Sequence, residues 1–315
     1  MPPRLVRFAL RRTLASLALV IIVASAAMLL ARVAPGDHLS GFAADPAAVA
    51  AERARLCLDC PLHEQYLRWA NGLLHFDLGE STRYPGRSVS ALIAERAGRS
   101  LLLGIAALAV ATAIGIPLGI VTGSRRRGAL VRLAGTAALL FISIPPIVLS
   151  LALLMLASRT GWFPLGGLPP DSTVLETARH LVLPTLALAL PIAGALERLQ
   201  SRAIADALAT PSMLAARARG LSRARVVWRH ALRLSLPPVL AVYGMIVGAL
   251  MSGSFIVEYV MTWPGLGTLM YDALVYRDAN LVAGCAAAGA CFLTFGILVS
   301  DLALAAADPR AEGLA

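Results

Sequence analysis

The sequence contains no lysine: all 28 of its basic residues are arginine, set against 18 acids. It is also poor in charge and in aromatic side chains. Charged residues occupy 15% of the 315 positions and aromatics 6%, whereas 58% are hydrophobic. An ordinary soluble domain carries about 25% charged and roughly 45–50% apolar residues. The apolar surplus excludes a disordered chain, and the shortage of charge argues against a soluble enzyme. No G-x-x-x-x-G-K-[ST] phosphate loop occurs, so the chain does not hydrolyse ATP by that device. No apolar run alternates with period two, which excludes a β-barrel. The net charge of +10 leaves a nucleic-acid binder or a membrane protein with basic loops, and the placement of the arginines decides between them.

What the chain does have is long apolar runs. A membrane-crossing helix needs about 20 mostly apolar residues, and six segments qualify: residues 8–31, 100–123, 133–157, 180–196, 234–257 and 281–307. The fourth is short and carries Pro184 and Pro191. The first follows Arg4, Arg7, Arg11 and Arg12, and Ala24-Ser25-Ala26 resembles a signal-peptide cleavage site. That triplet lies inside the apolar run, however, so an uncleaved anchor is expected.

Between these runs, arginine alternates. The N-terminal stretch has four Arg and no acid, and residues 32–99 hold eight of each. Residues 124–132 hold Arg125, Arg126, Arg127 and Arg132 without an acid, and residues 158–179 balance. Residues 197–234 hold eight Arg against Glu197 and Asp206, and residues 258–280 hold Arg277 against Glu258, Asp272 and Asp278. Excess arginine on alternate loops is expected to mark the cytoplasmic side, with both termini there. It forms no single stripe, so the nucleic-acid reading falls. The expected fold is an all-α membrane protein of six transmembrane helices with a small extracytoplasmic segment between the first two. Its organisation is residues 1–32 (N-terminus and first span), 33–99 (extracytoplasmic), 100–307 (spans two to six, with a cytoplasmic loop at 201–234) and a cytoplasmic tail, 308–315.

The 33–99 segment opens on the turn cluster Ala34-Pro35-Gly36-Asp37 and offers two helical stretches, residues 46–58 and 62–74. Cys57 and Cys60 frame a C-x-x-C that suits a simple disulfide, a redox pair or half a metal site. Neither a second cysteine pair nor a histidine cluster completes the last. Cys285 and Cys291, in the sixth span, read as small apolar fillers.

The loop between spans four and five carries the strongest signal. Thr210-Pro211 reads as N-cap and first helical residue, the following eight residues as a short Ala-rich helix, and Gly220 as its stop. A second, amphipathic stretch starts near Ser222, with Val226, Val227 and Trp228 apolar and Arg225, Arg229 and Arg233 every four residues. A basic amphipathic helix can lie on anionic lipid, and a short helix with small residues can dock into a partner's groove. The residues alone favour neither.

Here the sequence resembles the membrane-spanning permease subunits of bacterial ABC importers, in the dipeptide/oligopeptide/nickel group. Those permeases share a motif E-A-A-x3-G-x9-I-x-L-P. Ala215-Ala216 and Gly220 occupy its A-A and G positions, Leu214 departs from its Glu, and Trp228-Arg229-His230-Ala231-Leu232-Arg233 resembles the group's R-H-A-L-R. Arg32–Asp37, Asp77-Leu78-Gly79 with Ser81, Gly115–Gly119, Ser143–Pro146, His180–Pro184, Trp263–Gly267 and Asp308-Pro309-Arg310 match in order and spacing. The resemblance implies a type I ABC importer fold and a homologous second permease subunit. It further implies two ATPase subunits beneath, which bind the ATP and Mg, and an extracytoplasmic solute-binding protein above. No cofactor, metal or catalytic residue is implied for this chain itself. Leu214, Ala215, Ala216, Arg217, Arg219, Gly220, Leu221 and His230 would form the ATPase-coupling element.

Gly115, Gly119 and Gly123, four apart, suit close helix contact in lipid. With Pro117, Pro145, Pro146 and Pro184 they are candidate hinges or gates, static packing being the plainer reading. Thr112, Ser143, Ser150, Thr185, Ser252, Ser254 and Thr294 could line a pathway or bond their own helices. Glu258 and Asp301 are expected near opposite interfaces and are not assigned to cargo. A di- or oligopeptide is the expected cargo, with nickel chelates or another small solute as alternatives. An intramembrane protease using Ser252 or Ser254 lacks a histidine beside those serines. A secondary transporter would need intramembrane charges that are nearly absent.

Overall fold

The chain runs through α1 (Pro3–Val33), α2 (Pro46–Arg55), α3 (Leu62–Leu74), α4 (Val89–Ser124), α5 (Ala129–Ser143), α6 (Pro146–Thr160), α7 (Val174–Leu208), α8 (Pro211–Ala218), α9 (Arg223–Arg225), a π-helical turn (Val226–Ala231), α10 (Leu232–Leu240), α11 (Tyr243–Val260), α12 (Leu266–Val275) and α13 (Ala279–Ala307). This computed structural model describes residues 3–34, 46–55, 57–75, 77–125, 128–169 and 171–307. Pro35-Gly36-Asp37, Arg126, Arg127, Asp308-Pro309-Arg310 and the Ser252 side chain lie outside the described residues. Among those described, the β pairing is an isolated antiparallel bridge between Glu80 and Ser88.

α1, α4, α7, α11 and α13 are each long and apolar enough to cross a membrane, and α5 with α6 supplies a sixth as a pair bent by 107°. Residues 133–157, expected as one span bent at Pro145-Pro146, are therefore two helices. Two consecutive prolines cause the break. Pro145 pushes Ile144 out of the helical region to φ −88°, ψ 119°, and Pro146 does the same to Pro145 at ψ 143° before starting the next helix.

Two further spans depart from expectation. The fourth is no short segment over 180–196 but a 35-residue helix. Its start is fixed by Thr173, whose side chain accepts from the Glu176 N–H while the Glu176 carboxylate accepts from the Thr173 N–H, a complete capping box. Pro184 and Pro191 are absorbed within it. The fifth begins at Tyr243 rather than near 234, because the preceding residues form α10 with Pro237 and Pro238 inside it. The helix of the second span starts at Val89, before the apolar run, and the segment after α11, whose sequence reads as loop, contains α12.

The chain divides into two compact units, residues 1–8, 101–263 and 295–315, and residues 9–100 and 264–294. In the first, Leu103, Ala107 and Ala111 of α4 meet Ala187, Ala193 and Leu196 of α7 and Leu250 and Val257 of α11 in a fully or nearly fully buried core. Its alanines let helix backbones approach where lipid offers no hydrophobic gain.

In the second unit Ala24 and Met28 of α1, Trp69 of α3, and Ala279 and Ala283 of α13 pack together, with Tyr66 tilted against Trp69 at 5.8 Å. Cys57 and Cys60 form a disulfide just before α3. The turn it closes is held by Gln65, whose Nε2 donates to the Leu58 carbonyl at 3.1 Å and the Cys60 carbonyl at 2.8 Å. Cys285 is buried as expected, but Cys291 is exposed on this chain.

Candidate functional site

α8 is built to stand off the bundle while staying anchored to it. Met213 is its buried residue and packs with Ile120, Ile204, Ala207, Val226, Val227 and Ala231. Leu214, Ala215, Arg217, Arg219 and Gly220 are exposed, Leu214 at 56%. Thr210 takes the N-cap position and Pro211 the first helical one. The Thr210 hydroxyl, however, donates back to the Ala207 carbonyl at 2.8 Å instead of capping.

The other end is closed by a Schellman motif. The Leu221 N–H reaches the Ala216 carbonyl at 3.3 Å and the Gly220 N–H reaches the Arg217 carbonyl at 2.9 Å. This needs the left-handed backbone found at Gly220, φ +82°. A Cβ there would meet nothing within 4 Å, so the conformation and not space demands glycine. Ala216 and Leu221 are half-buried against the same small core. Beside α8 lies a hollow of about 530 Å³ lined by residues including Gly123, Ser124, Leu208, Arg217, Leu221 and Arg223. The Arg223 guanidinium donates to the Ser124 carbonyl and ties this loop to the end of α4.

The second stretch begins at Ser222, whose side chain accepts from the Arg225 N–H. It then widens into a π turn, in which the Leu232 N–H bonds the Val227 carbonyl five residues back. Val226 and Val227 are buried, whereas Trp228 is 54% exposed. Trp228 therefore stands apart from the two valines. Half-buried His230 lies on the same turn.

The glycines of α4 form a seam against α7. A Cβ on Gly115 would stand 2.6 Å from the Ala193 carbonyl, on Gly119 2.7 Å from the Glu197 carbonyl, and on Gly123 2.2 Å from the Ser201 carbonyl. No side chain fits at any of the three. Pro117 lies inside α4 among them, Pro145 and Pro146 sit at the α5–α6 break, and Pro184 is buried inside α7. The residues expected to couple to the ATPase thus gather on one loop, while the candidate hinges are spread over three places.

The hydroxyls named as possible pathway groups mostly bond inward. Ser143, Ser150, Ser254 and Thr294 donate to the carbonyls of Leu139, Pro146, Met251 and Cys291 in their own helices. Thr112 pairs with the Tyr243 hydroxyl at 2.9 Å. Thr185 is buried, its hydroxyl unpartnered among the described residues. Glu258 is fully buried at the last turn of α11.

Sequence reasoning passed over one group. At the α4–α7 seam, Thr122 donates to the Glu197 carboxylate, and Gln200 Nε2 donates to Ser235 Oγ at 2.9 Å. All four side chains are buried. Glu197 reads in the sequence as a loop charge, but its spacing from Gln200 places both on the α7 face that meets the glycines.

Helices long and apolar enough to cross a membrane, with an anchored yet exposed short helix on a basic loop, define an integral membrane protein. A profile described as "Binding-protein-dependent transport system inner membrane component" matches residues 115–313, and one for the N-terminal part of such components matches residues 5–84. The oligopeptide transport system permease protein AppB of Bacillus subtilis (strain 168) is 31% identical over 97% of this chain and 99% of its own length. The dipeptide transport system permease protein DppB of the same organism is 30% identical over 96% of this chain and 97% of its own. The chain belongs to the family of binding-protein-dependent inner-membrane components, and it is a multi-pass permease subunit of an ABC importer.

Proposed function

We propose that this subunit forms half of a translocation pathway for di- or oligopeptides, and that α8 is the element through which ATP hydrolysis in partner subunits drives it. The second half is a homologous permease. Two ATPase subunits bind at α8, and a solute-binding protein delivers the cargo. Peptide cargo is supported by the likeness to AppB and DppB, which are named for oligopeptide and dipeptide transport.

The observation that carries the coupling reading is the build of α8. One buried methionine anchors it, its other face is free, and a left-handed glycine fixes its end. Small Ala215 and Ala216 permit close approach by a partner groove, and Leu214, in the place of the family's Glu, contributes an apolar contact where a charge would otherwise stand. Arg217 and Arg223 line the adjoining hollow and would meet acidic side chains there. No nucleotide contact is required of this chain.

Gly220→Val tests the reading. A β-branched residue held at positive φ costs about 1–3 kcal/mol, so the motif opens and α8 loses its fixed exit. Reconstituted with its partners, the variant should insert normally yet lose ATP-driven peptide uptake by about tenfold or more. Full uptake by Gly220→Val would remove the coupling assignment. Uptake by the isolated chain driven by an ion gradient alone would remove the importer reading.

A further inference from the structure

We propose that Gln200 is a positioning residue for transport, the joint by which movement of the α8 loop reaches the spanning helices. The inference deepens the coupling reading and rests on it.

Three elements meet at Gln200. It is itself 0% exposed on α7. Its Cβ packs where Gly119 of α4 has no side chain, 2.6 Å from the position a Cβ on that glycine would take. Its amide nitrogen donates to Ser235 on α10, and the Ser235 hydroxyl donates onward to the Leu232 carbonyl at 3.0 Å, the last residue tied to the π turn. One helical turn earlier, Glu197 holds Thr122 of α4. The loop bearing α8 leaves from the end of α7 and returns through the π turn into α10. Any displacement of that loop must therefore either carry the Gln200–Ser235 pair with it or break it.

The pair is poorly designed for stability alone. The Gln200 Oε1 is buried without a hydrogen-bond partner among the described residues, and an unsatisfied buried acceptor is destabilising. An apolar side chain of equal size would pack against Gly119 without that cost. An amide that uses its donor and leaves its acceptor idle suits a contact with two arrangements: the present one, and another in which α10 or α4 has shifted and offers Oε1 a hydroxyl. Thr122 and Ser235 are the hydroxyls at hand. π turns are a frequent mark of such functional irregularity. The tight glycine seam transmits the shift because it has no slack to absorb it.

The test is run on the assembled transporter in nanodiscs, measuring peptide uptake per ATP hydrolysed, co-purification of the ATPase subunits and melting temperature. Gln200→Leu keeps size and removes both polar ends. It should melt at or above the wild-type temperature and retain its ATPase partners. Peptide delivered per ATP should fall about fivefold, the factor associated with one neutral hydrogen bond. Ser235→Ala should fall similarly, the double variant no further than either single, and Ser235→Thr, which keeps the hydroxyl, should recover. Wild-type coupling in Gln200→Leu would overturn the proposal. So would a loss of transport that tracks a lowered melting temperature, since that is a merely structural role. Loss of ATPase co-purification in Gly220→Val but not in Gln200→Leu would separate docking from transmission, whereas retained docking in both with full transport would sink both assignments.

Discussion

The Ser81 hydroxyl donates to the Asp278 carboxylate at 2.6 Å across 197 residues of chain. Asp278 is 0% exposed, and it also accepts from the N–H groups of Arg83 at 3.1 Å and Leu281 at 3.0 Å. A buried carboxylate is tolerated only when so satisfied. The loop after Asp77-Leu78-Gly79 and the start of α13 are therefore one structural piece. Asp278→Ala strands three donors and should lower stability by about 3 kcal/mol, read as a fall in melting temperature in detergent. Ser81→Ala should cost about 1–2 kcal/mol, and the two losses should not add. A wild-type melt for Asp278→Ala would show that the tie lies elsewhere.

Two glycines of α4 predict opposite outcomes from one substitution. Gly98 has open space where a Cβ would go, so Gly98→Ala should stabilise by about 0.5–1 kcal/mol through helix propensity. At Gly119 the added methyl meets the Glu197 carbonyl and Gln200 side chain, and overpacking of about 1–3 kcal/mol outweighs that gain. The comparison of melting temperatures needs no knowledge of cargo.

The seam was legible because it rests on i, i+4 spacing, a local pattern. Six spans were legible for the same reason, since hydropathy is a sum over neighbours. What escaped depends on distant or irregular geometry. The Gln200–Ser235 bond joins residues 35 apart. Trp228 points outward while Val226 and Val227 are buried, because three consecutive residues span about 200° of a helix and cannot all share one face. α7 outruns the apolar stretch 180–196 because Glu176 and Arg179 precede that stretch and Glu197, Arg198 and Arg202 follow it, and hydropathy discounts such charges. The Pro145-Pro146 break was visible as a bend, but its 107° size was not.

The sidedness expected from the arginine ledger can be read with an impermeant thiol reagent on cells stripped to the inner membrane. After mild reduction, Cys57 and Cys60 should label from outside, whereas Arg219→Cys should label only after the membrane is opened. The reverse pattern would invert the topology. Cys57→Ser should also cost about 2 kcal/mol, the loop-closure term for so short a disulfide.

Tyr84 supplies a pH dependence outside the membrane-spanning helices. Burial first, and then its 2.9 Å hydrogen bond to Asp272, raise its phenol above the ordinary value. A raised folded-state value means stability is complete below the unfolded phenol's pKa of about 10 and is lost as pH rises through the folded value. Tyr84→Phe should remove that alkaline loss while costing about 1 kcal/mol at neutral pH. Parallel melting curves across the alkaline range for the two proteins would refute it.

The bent pair has a consequence for the surrounding lipid. α5 and α6 contain 15 residues each, roughly 22 Å at 1.5 Å per residue, against about 30 Å of hydrocarbon. Neither arm reaches across unaided, and a sharp angle between them shortens their combined reach. Acyl chains beside this edge must compress, or a neighbouring polypeptide must take their place, so thicker bilayers should penalise the solitary subunit and favour its assembly.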